Sequence, residues 1–377
     1  MPPRITVSVA VLGAAGTIAP AIVRDLAESD EVGSMVLLDL DLARAAVVAA
    51  EHGGGKAAAG AADAREHASL AAALEGVDVL INAASYRINL DAMHASLAAG
   101  CHYLDLGGLY WMTRRQRELD EDFRRAGLLA LLGIGSSPGK TNVMAARAVR
   151  KLGGSVESIE VAAAGRDPRA SSGFSPPYAV RTLIDELTLP PVVLRGGEPA
   201  EIEALSDGGA LDYGPPIGEV ETIYTLHSEL ATFGESFGCR EASFRLSLAP
   251  ALLSRLRELA SAPADEIERA TREATASSAE TVSVHMVIAR GGGRTVKVRA
   301  VSRPHFGLGG SVVSTAAPAA AVVRLLARGE IKATGAQPPE LCLEPEALFT
   351  ELETRGCGFE VMTAIRMGPD GPDSVGE

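Results

Sequence analysis

The chain has 377 residues, 47% of them hydrophobic and 22% charged, which is enough to build the cores of two domains and far from the composition of a disordered chain. Its 35 Lys and Arg against 48 Asp and Glu leave a formal net charge of −13, so neither nucleic acid nor an anionic membrane surface is expected as a partner. Four cysteines, Cys101, Cys239, Cys342 and Cys357, lie far apart without a CxxC pair; reduced thiols in the cytoplasm are expected, with no disulfide framework and no metal site.

From residue 4 to about 135 the sequence alternates strand, turn and helix. Ile5 to Leu12 is a near-continuous β-type run, and Ile18, Ile22, Val23 and Leu26 then fall on one helical face. Met35 to Leu38, Ala57 to Ala62, Val77 to Ile81, His102 to Leu106 and Leu128 to Leu132 read as further strands. Helices are expected at Leu42 to Glu51, Ser69 to Leu74, Asn89 to Ala99 and Arg114 to Ala126. This alternation predicts a doubly wound parallel sheet of the Rossmann type.

Beyond about residue 152 the rhythm changes. Val156 to Ala164, Glu219 to Leu226, Ala242 to Leu248, Thr281 to Ala289 and Thr295 to Ser302 read as longer strands, and Gly291-Gly292-Gly293 joins the last two as a hairpin. Helices are expected at Tyr178 to Glu186, Ala249 to Leu259, Ala317 to Arg328 and Pro345 to Arg355, with a last strand at Phe359 to Met367. The pattern predicts a second, α+β domain with a mainly antiparallel sheet. Gly196 to Gly218, rich in Gly, Pro and acids, reads as a loop over a cleft. No window approaches 18 uncharged apolar residues, so no membrane-spanning helix is expected.

The chemistry concentrates in a few segments. Gly13-Ala14-Ala15-Gly16-Thr17-Ile18-Ala19 stands between the first strand and the first helix. There Gly13 permits a tight turn and Gly16 a close approach to a pyrophosphate on the positive helix end, so this is a dinucleotide fingerprint in its GxxGxxA variant. Asp39 ends the second strand, where a carboxylate accepts the adenosine ribose hydroxyls and repels a 2′-phosphate, so NAD is favoured over NADP. Asp63-Ala64 is expected beside the adenine, and Asn82-Ala83-Ala84-Ser85 along the cofactor. In Gly133-Ile134-Gly135-Ser136-Ser137-Pro138-Gly139-Lys140 the sequence caps a helix at Ser137 and places Lys140 in its first turn, where the helix dipole disfavours a cation and an anionic substrate group would relieve it. The same segment fails as a GxSxG elbow, because proline follows the central serine, and as a Walker A loop, because the glycine spacing is broken.

These segments resemble the saccharopine dehydrogenase-like family, which includes saccharopine reductases, lysine 6-dehydrogenases and carboxynorspermidine dehydrogenases. The resemblance runs through VLGAAGTIA at 11 to 19, GVDVLINAA at 76 to 84, AGCHYLDLGG at 99 to 108, GIGSSPGKTN at 133 to 142, YTLHSELAT at 224 to 232 and IKATGAQPPELC at 331 to 342. It implies a Rossmann domain over residues 1–135, completed by a returning helix near 312–330. A catalytic and dimerising domain over 136–311 and 331–367 follows, then a flexible tail at 368–377. It also implies hydride transfer at a carbon bearing a primary or secondary amine of a small amino acid or amine, in a homodimer.

Such chemistry needs a base in the cleft. His227 has the natural intrinsic pKa for it, Glu229 or Tyr178 is expected to orient the substrate ammonium, and Lys140 is a further catalytic candidate. Arg181, Arg303 and Lys140 are candidate anchors for a substrate carboxylate. The leading expectation is oxidative deamination of the lysine 6-dehydrogenase kind, with formation or cleavage of a secondary amine as its sister reaction. A nucleotide-sensing protein without chemistry is the non-enzymatic alternative.

Overall fold

A computed structural model describes residues 6–169, 174–274 and 278–365. The first six strands are β1 (Val7–Leu12), β2 (Val32–Asp39), β3 (Ala57–Ala61), β4 (Val79–Asn82), β5 (His102–Asp105) and β6 (Leu129–Leu131). They run parallel in the order β6-β5-β4-β1-β2-β3. This is the order in which chain direction across the sheet reverses between β1 and β4, opening a crevice at their carboxyl ends. Val9, Val11, Ile81 and Leu104 pack into one core cluster and Ala10, Leu12, Leu80 and Tyr103 into a second. The central strands are therefore covered on both faces, which is why they read as unbroken apolar runs.

The second sheet contains β7 (Ser158–Arg166), β8 (Val192–Arg195), β9 (Glu198–Glu201), β10 (Asp207–Asp212), β11 (Glu219–Tyr224), β12 (Glu241–Ser247), β13 (Val282–Gly291) and β14 (Arg294–Ser302). Two late strands complete the fold, β15 (Gly335–Gln337) and β16 (Cys357–Ile365). The long path is β10-β11-β12-β7-β13-β14-β16, with β8 and β9 beside β12. Antiparallel pairs dominate, and β12 runs parallel to β7.

Four expectations need correction. The segment 196–218 is not one loop: Gly196 and Gly197, both at positive φ, turn β8 into β9, and β10 then pairs with β11. A two-glycine hairpin turn supplies the positive φ that reverses the chain tightly. The charged stretch expected as one helix is two, Leu109–Arg117 and Asp120–Ala126. β15 joins β6 at the edge of the first sheet, so residues 331–367 divide between the two sheets. The helix Gly310–Ala327 is long and apolar enough to span a membrane, with a mean hydropathy of 1.5, but it is 72% buried in the protein. Its one cation, Arg324, is held by Asp25 and Glu351 at 2.8 and 2.6 Å. The expected tail, 368–377, lies outside the described residues.

Candidate active site

The mouth of the first sheet is built by backbone. Gly13 has φ +80°, and a Cβ there would lie 2.6 Å from the Ala84 amide nitrogen. The turn after β1 thus touches the turn after β4, and only glycine allows it. Gly16 and Thr17 are exposed at this mouth, whereas Ile18 is buried. The helix Ala19–Ala27 begins without a side-chain cap and without an acid in its first turn. An uncapped helix start facing an exposed glycine turn suits a pyrophosphate, so the donor set fits a dinucleotide.

Asp39 closes this mouth from β2. One carboxylate oxygen accepts the Ala15 amide at 2.9 Å and the other the Asp41 amide at 2.9 Å, and each keeps a further lone pair for a ribose hydroxyl. Asp63 is gripped by Arg65 through Nε at 3.0 Å and Nη2 at 2.7 Å, which holds its carboxyl below the ordinary range; Ala64 beside it is buried. Asn82 is 1% exposed. Its amide donates to Asn89 Oδ1 at 2.9 Å and its oxygen accepts the Ala84 amide at 3.1 Å. Asn82 therefore shapes the Ala83-Ala84-Ser85 turn from beneath instead of facing the mouth.

That turn leads into the second domain. Tyr86 donates to Asp185 Oδ2 at 2.8 Å and Arg87 pairs with the same oxygen at 2.5 Å. Asp185 belongs to the helix Val180–Thr188, and the next residue, Glu186, points into a buried cluster. The turn after β4 and the interior of the second domain are thus joined through one helix.

The cluster borders a cavity of about 530 Å³ between the 133–139 segment, the start of the helix Gly310–Ala327 and the face of β7, β12 and β13. This size suits a small-molecule site. His227 and Tyr178 line it, with Phe244, Leu246 and Leu252 forming an apolar wall. The His227 ring stacks on Phe244 with centroids 3.4 Å apart and an interplanar angle of 19°. Its Nδ1 lies 3.4 Å from Glu229 Oε2 and its Nε2 lies 3.8 Å from Glu186 Oε2. Both contacts are electrostatic and neither ring nitrogen makes a directed hydrogen bond. Glu229 is fully buried, and its Oε1 accepts from Ser137 at 2.7 Å and Thr141 at 2.8 Å. Tyr178 donates to Glu186 at 2.5 Å.

Burial is the largest influence on His227 and disfavours the imidazolium, but Glu186 and Glu229 together outweigh it and its pKa is raised. For Glu229, burial works against ionisation, and the His227 charge with the Ser137 hydroxyl brings its pKa below the ordinary value. Burial instead raises Glu186, against the pull of His227. It also lifts the Tyr178 hydroxyl well above its usual value, Glu186 adding to the effect. The environment thus favours a charged His227 beside an ionised Glu229 and disfavours ionisation of Glu186.

Several candidates lie elsewhere. Ser137 is not the helix cap: the helix Lys140–Leu152 is capped at Gly139. Gly139 has φ +119°, and a Cβ there would meet the Gly135 nitrogen at 2.5 Å, so the tight segment forces the helix to start later and leaves the Ser137 hydroxyl for Glu229. Lys140 is fully buried away from the cavity wall. Its Nζ donates to Ser314 at 2.7 Å and Ser302 at 3.0 Å, and burial pushes its pKa down. The helix-start conflict is thus resolved by hydroxyls, with no substrate anion needed. Arg181 is exposed and 3.5 Å from Glu268, and Arg303 is exposed away from the cavity; neither is placed to anchor a substrate.

Residues 9–131 match the family described as Saccharopine dehydrogenase NADP binding domain. A carboxyaminopropylagmatine dehydrogenase from Synechocystis sp. is 27% identical over 263 residues, covering 67% of this chain and 65% of that protein. The chain therefore aligns with slightly under two thirds of that relative's length. In fold it is similar to the apo saccharopine dehydrogenase (L-Glu forming) of Saccharomyces cerevisiae, with a TM-score of 0.68 and 14% identity over 95% of this chain and all of that one. The fingerprint at the β1–β4 crevice agrees with the match of residues 9–131 to a saccharopine dehydrogenase NADP-binding domain, and the second mixed sheet agrees with the saccharopine dehydrogenase fold.

Proposed function

We propose that this chain is a nicotinamide-dependent oxidoreductase that forms or cleaves a secondary amine, acting at the CH–NH carbon of an amino-acid or carboxylated amine substrate. The observation that carries the reading is the His227 ring, held between two buried carboxylates on the wall of a cavity that the cofactor turn adjoins through Asp185. The relative named for a carboxyaminopropyl derivative of the amine agmatine favours the secondary-amine form. The apolar wall of Phe244, Leu246 and Leu252 also suits the methylene chain of lysine, and oxidative deamination at its ε-carbon is the second reading.

The amides of Thr17 and Ile18 at the helix start would hold the diphosphate, since those of Gly13 to Gly16 donate within the turn and to β2; Asp39 would hold the adenosine ribose, and the Ala83–Ser85 turn would run beside the nicotinamide. Asp39 favours NAD, since its charge opposes a 2′-phosphate. When bound, the nicotinamide supplies the hydride acceptor. The two carboxylates raise the pKa of His227 and so favour its protonated form, in which it would act as an acid toward substrate nitrogen, with Glu229 facing its Nδ1. Phe244 packs on its face and excludes water from it. The test is initial-rate NADH formation with saccharopine, a carboxynorspermidine and lysine. The secondary amines are expected to give the larger kcat/KM, lysine alone turning over would establish the second reading, and no turnover of any amine would overturn both.

A further inference from the structure

Both ring nitrogens of His227 face carboxylates, Nδ1 Glu229 at 3.4 Å and Nε2 Glu186 at 3.8 Å, so the ring is placed as a proton donor and the reaction needs a separate acceptor. We propose that Glu186 is that acceptor, reached through the Tyr178 hydroxyl, and that it makes the cavity select a substrate entering as a cationic amine. The inference rests on the functional reading above.

Glu186 lies on the inner face of the helix Val180–Thr188 among Val180, Leu183, Ile184 and Leu187, all buried. It is 5% exposed and does not line the cavity, whereas Tyr178 does. Its Oε2 is the atom that both takes the Tyr178 hydroxyl hydrogen at 2.5 Å and faces His227 Nε2 at 3.8 Å. The charged and titratable groups around it are Tyr178, His227, Glu229 and Asp185. Of these, Asp185 is already committed to Tyr86 and Arg87, and Glu229 is bonded to Ser137 and Thr141. Ionised Glu186 would add a negative charge behind Tyr178 at the cavity wall, which a substrate ammonium would balance.

The proton step follows from the hydrogen-bond direction. An N–H bond of the substrate ammonium breaks as its proton passes to the Tyr178 oxygen, while the original Tyr178 hydrogen passes to Glu186 Oε2. The freed nitrogen lone pair is then available to form the C=N bond, the neighbouring C–H pair being the hydride that a bound nicotinamide would accept. Glu186 acts through Tyr178, so it is a positioning residue that charges the hydroxyl without touching substrate. Asp185 joins the same helix to Tyr86 and Arg87 after the β4 turn.

The test uses the full chain with NAD and the amine that turns over best, recording kcat/KM against pH. Glu186→Gln keeps an acceptor for the Tyr178 hydroxyl but cannot take a proton. It is expected to lose about 100-fold in kcat/KM and to lose the acid limb of the profile, with calorimetric NADH affinity unchanged. Glu186→Asp restores part of the rate, and Tyr178→Phe reproduces the loss. In the wild type the acid limb lies above the ordinary carboxylate range, because activity needs ionised Glu186 and falls as pH drops through its raised pKa. An active wild type with Glu186→Gln within threefold and the same acid limb would overturn this proposal alone. A wild type that oxidises no amine would overturn the functional reading together with it.

Discussion

The mouth of the first sheet and the cavity of the second domain solve the same electrostatic problem with different materials. The mouth is exposed, and it offers backbone amides at a helix start, shaped by one close contact between Gly13 and Ala84. The cavity wall is buried, and it offers side chains whose charges are set by one another, His227 by two carboxylates and Glu186 by burial. Backbone dipoles need only the correct turn, so they tolerate solvent; a buried imidazolium needs its partners in place, since an unpaired buried charge is costly.

Substitution at the mouth should therefore act through shape. Gly13→Val meets both the positive φ, which costs an L-residue about 1–2 kcal/mol, and the Ala84 backbone. We expect NADH affinity by calorimetry to fall by at least ~100-fold, a free-energy loss of about 2.7 kcal/mol. Binding within threefold of wild type would show that the turn does not hold the diphosphate.

In the cavity the effect should come through charge. Glu229→Gln preserves volume and leaves His227 with one carboxylate, and kcat/KM is expected to drop by about 30-fold to 100-fold while NADH binding is retained. The His227 pKa, followed by ¹⁵N NMR, should fall, because an attractive charge that raised it has gone. An unchanged titration would mean that the two groups do not interact as the geometry requires.

A smaller change separates nucleotides at the mouth. Asp39→Ala should move the ratio of NADP to NAD affinity about tenfold toward NADP, the change expected from losing a ribose ligand and a repulsive charge. A ratio that stays put would remove Asp39 from the cofactor site. Smallest of all, Arg303→Ala and Arg181→Ala should leave kcat/KM within about twofold, since both guanidinium groups are exposed and apart from the cavity. A tenfold rise in KM for either would place a substrate carboxylate where the geometry does not.

The same contrast explains what could be read from residues alone. Gly13, Gly16 and Asp39 work through local turn geometry and strand ends, which a short window of sequence encodes, and the parallel sheet was legible for the same reason. His227 and Glu229 were legible as residue types two positions apart, but their roles were not, since the raised pKa of His227 depends on Glu186, a residue from a different helix. Glu186 did leave a signal, a carboxylate in the apolar stripe of Val180, Leu183, Ile184 and Leu187. Lys140 was misread because its partners, Ser302 and Ser314, arrive from distant strands and helices. The short strands β9 and β10 were hidden by Gly, Pro and acidic residues that serve their turns.

The central claim is that a nucleotide held at the mouth delivers a hydride acceptor to the cavity beside His227. Its most direct test is amine-dependent reduction of NAD by the wild-type chain and by His227→Ala, followed at the NADH absorbance under saturating nucleotide. At least one secondary amine or lysine is expected to reduce NAD, and His227→Ala to lose about 100-fold of that rate while still binding NADH. Nucleotide binding without reduction by any amine, or full activity in His227→Ala, would contradict it.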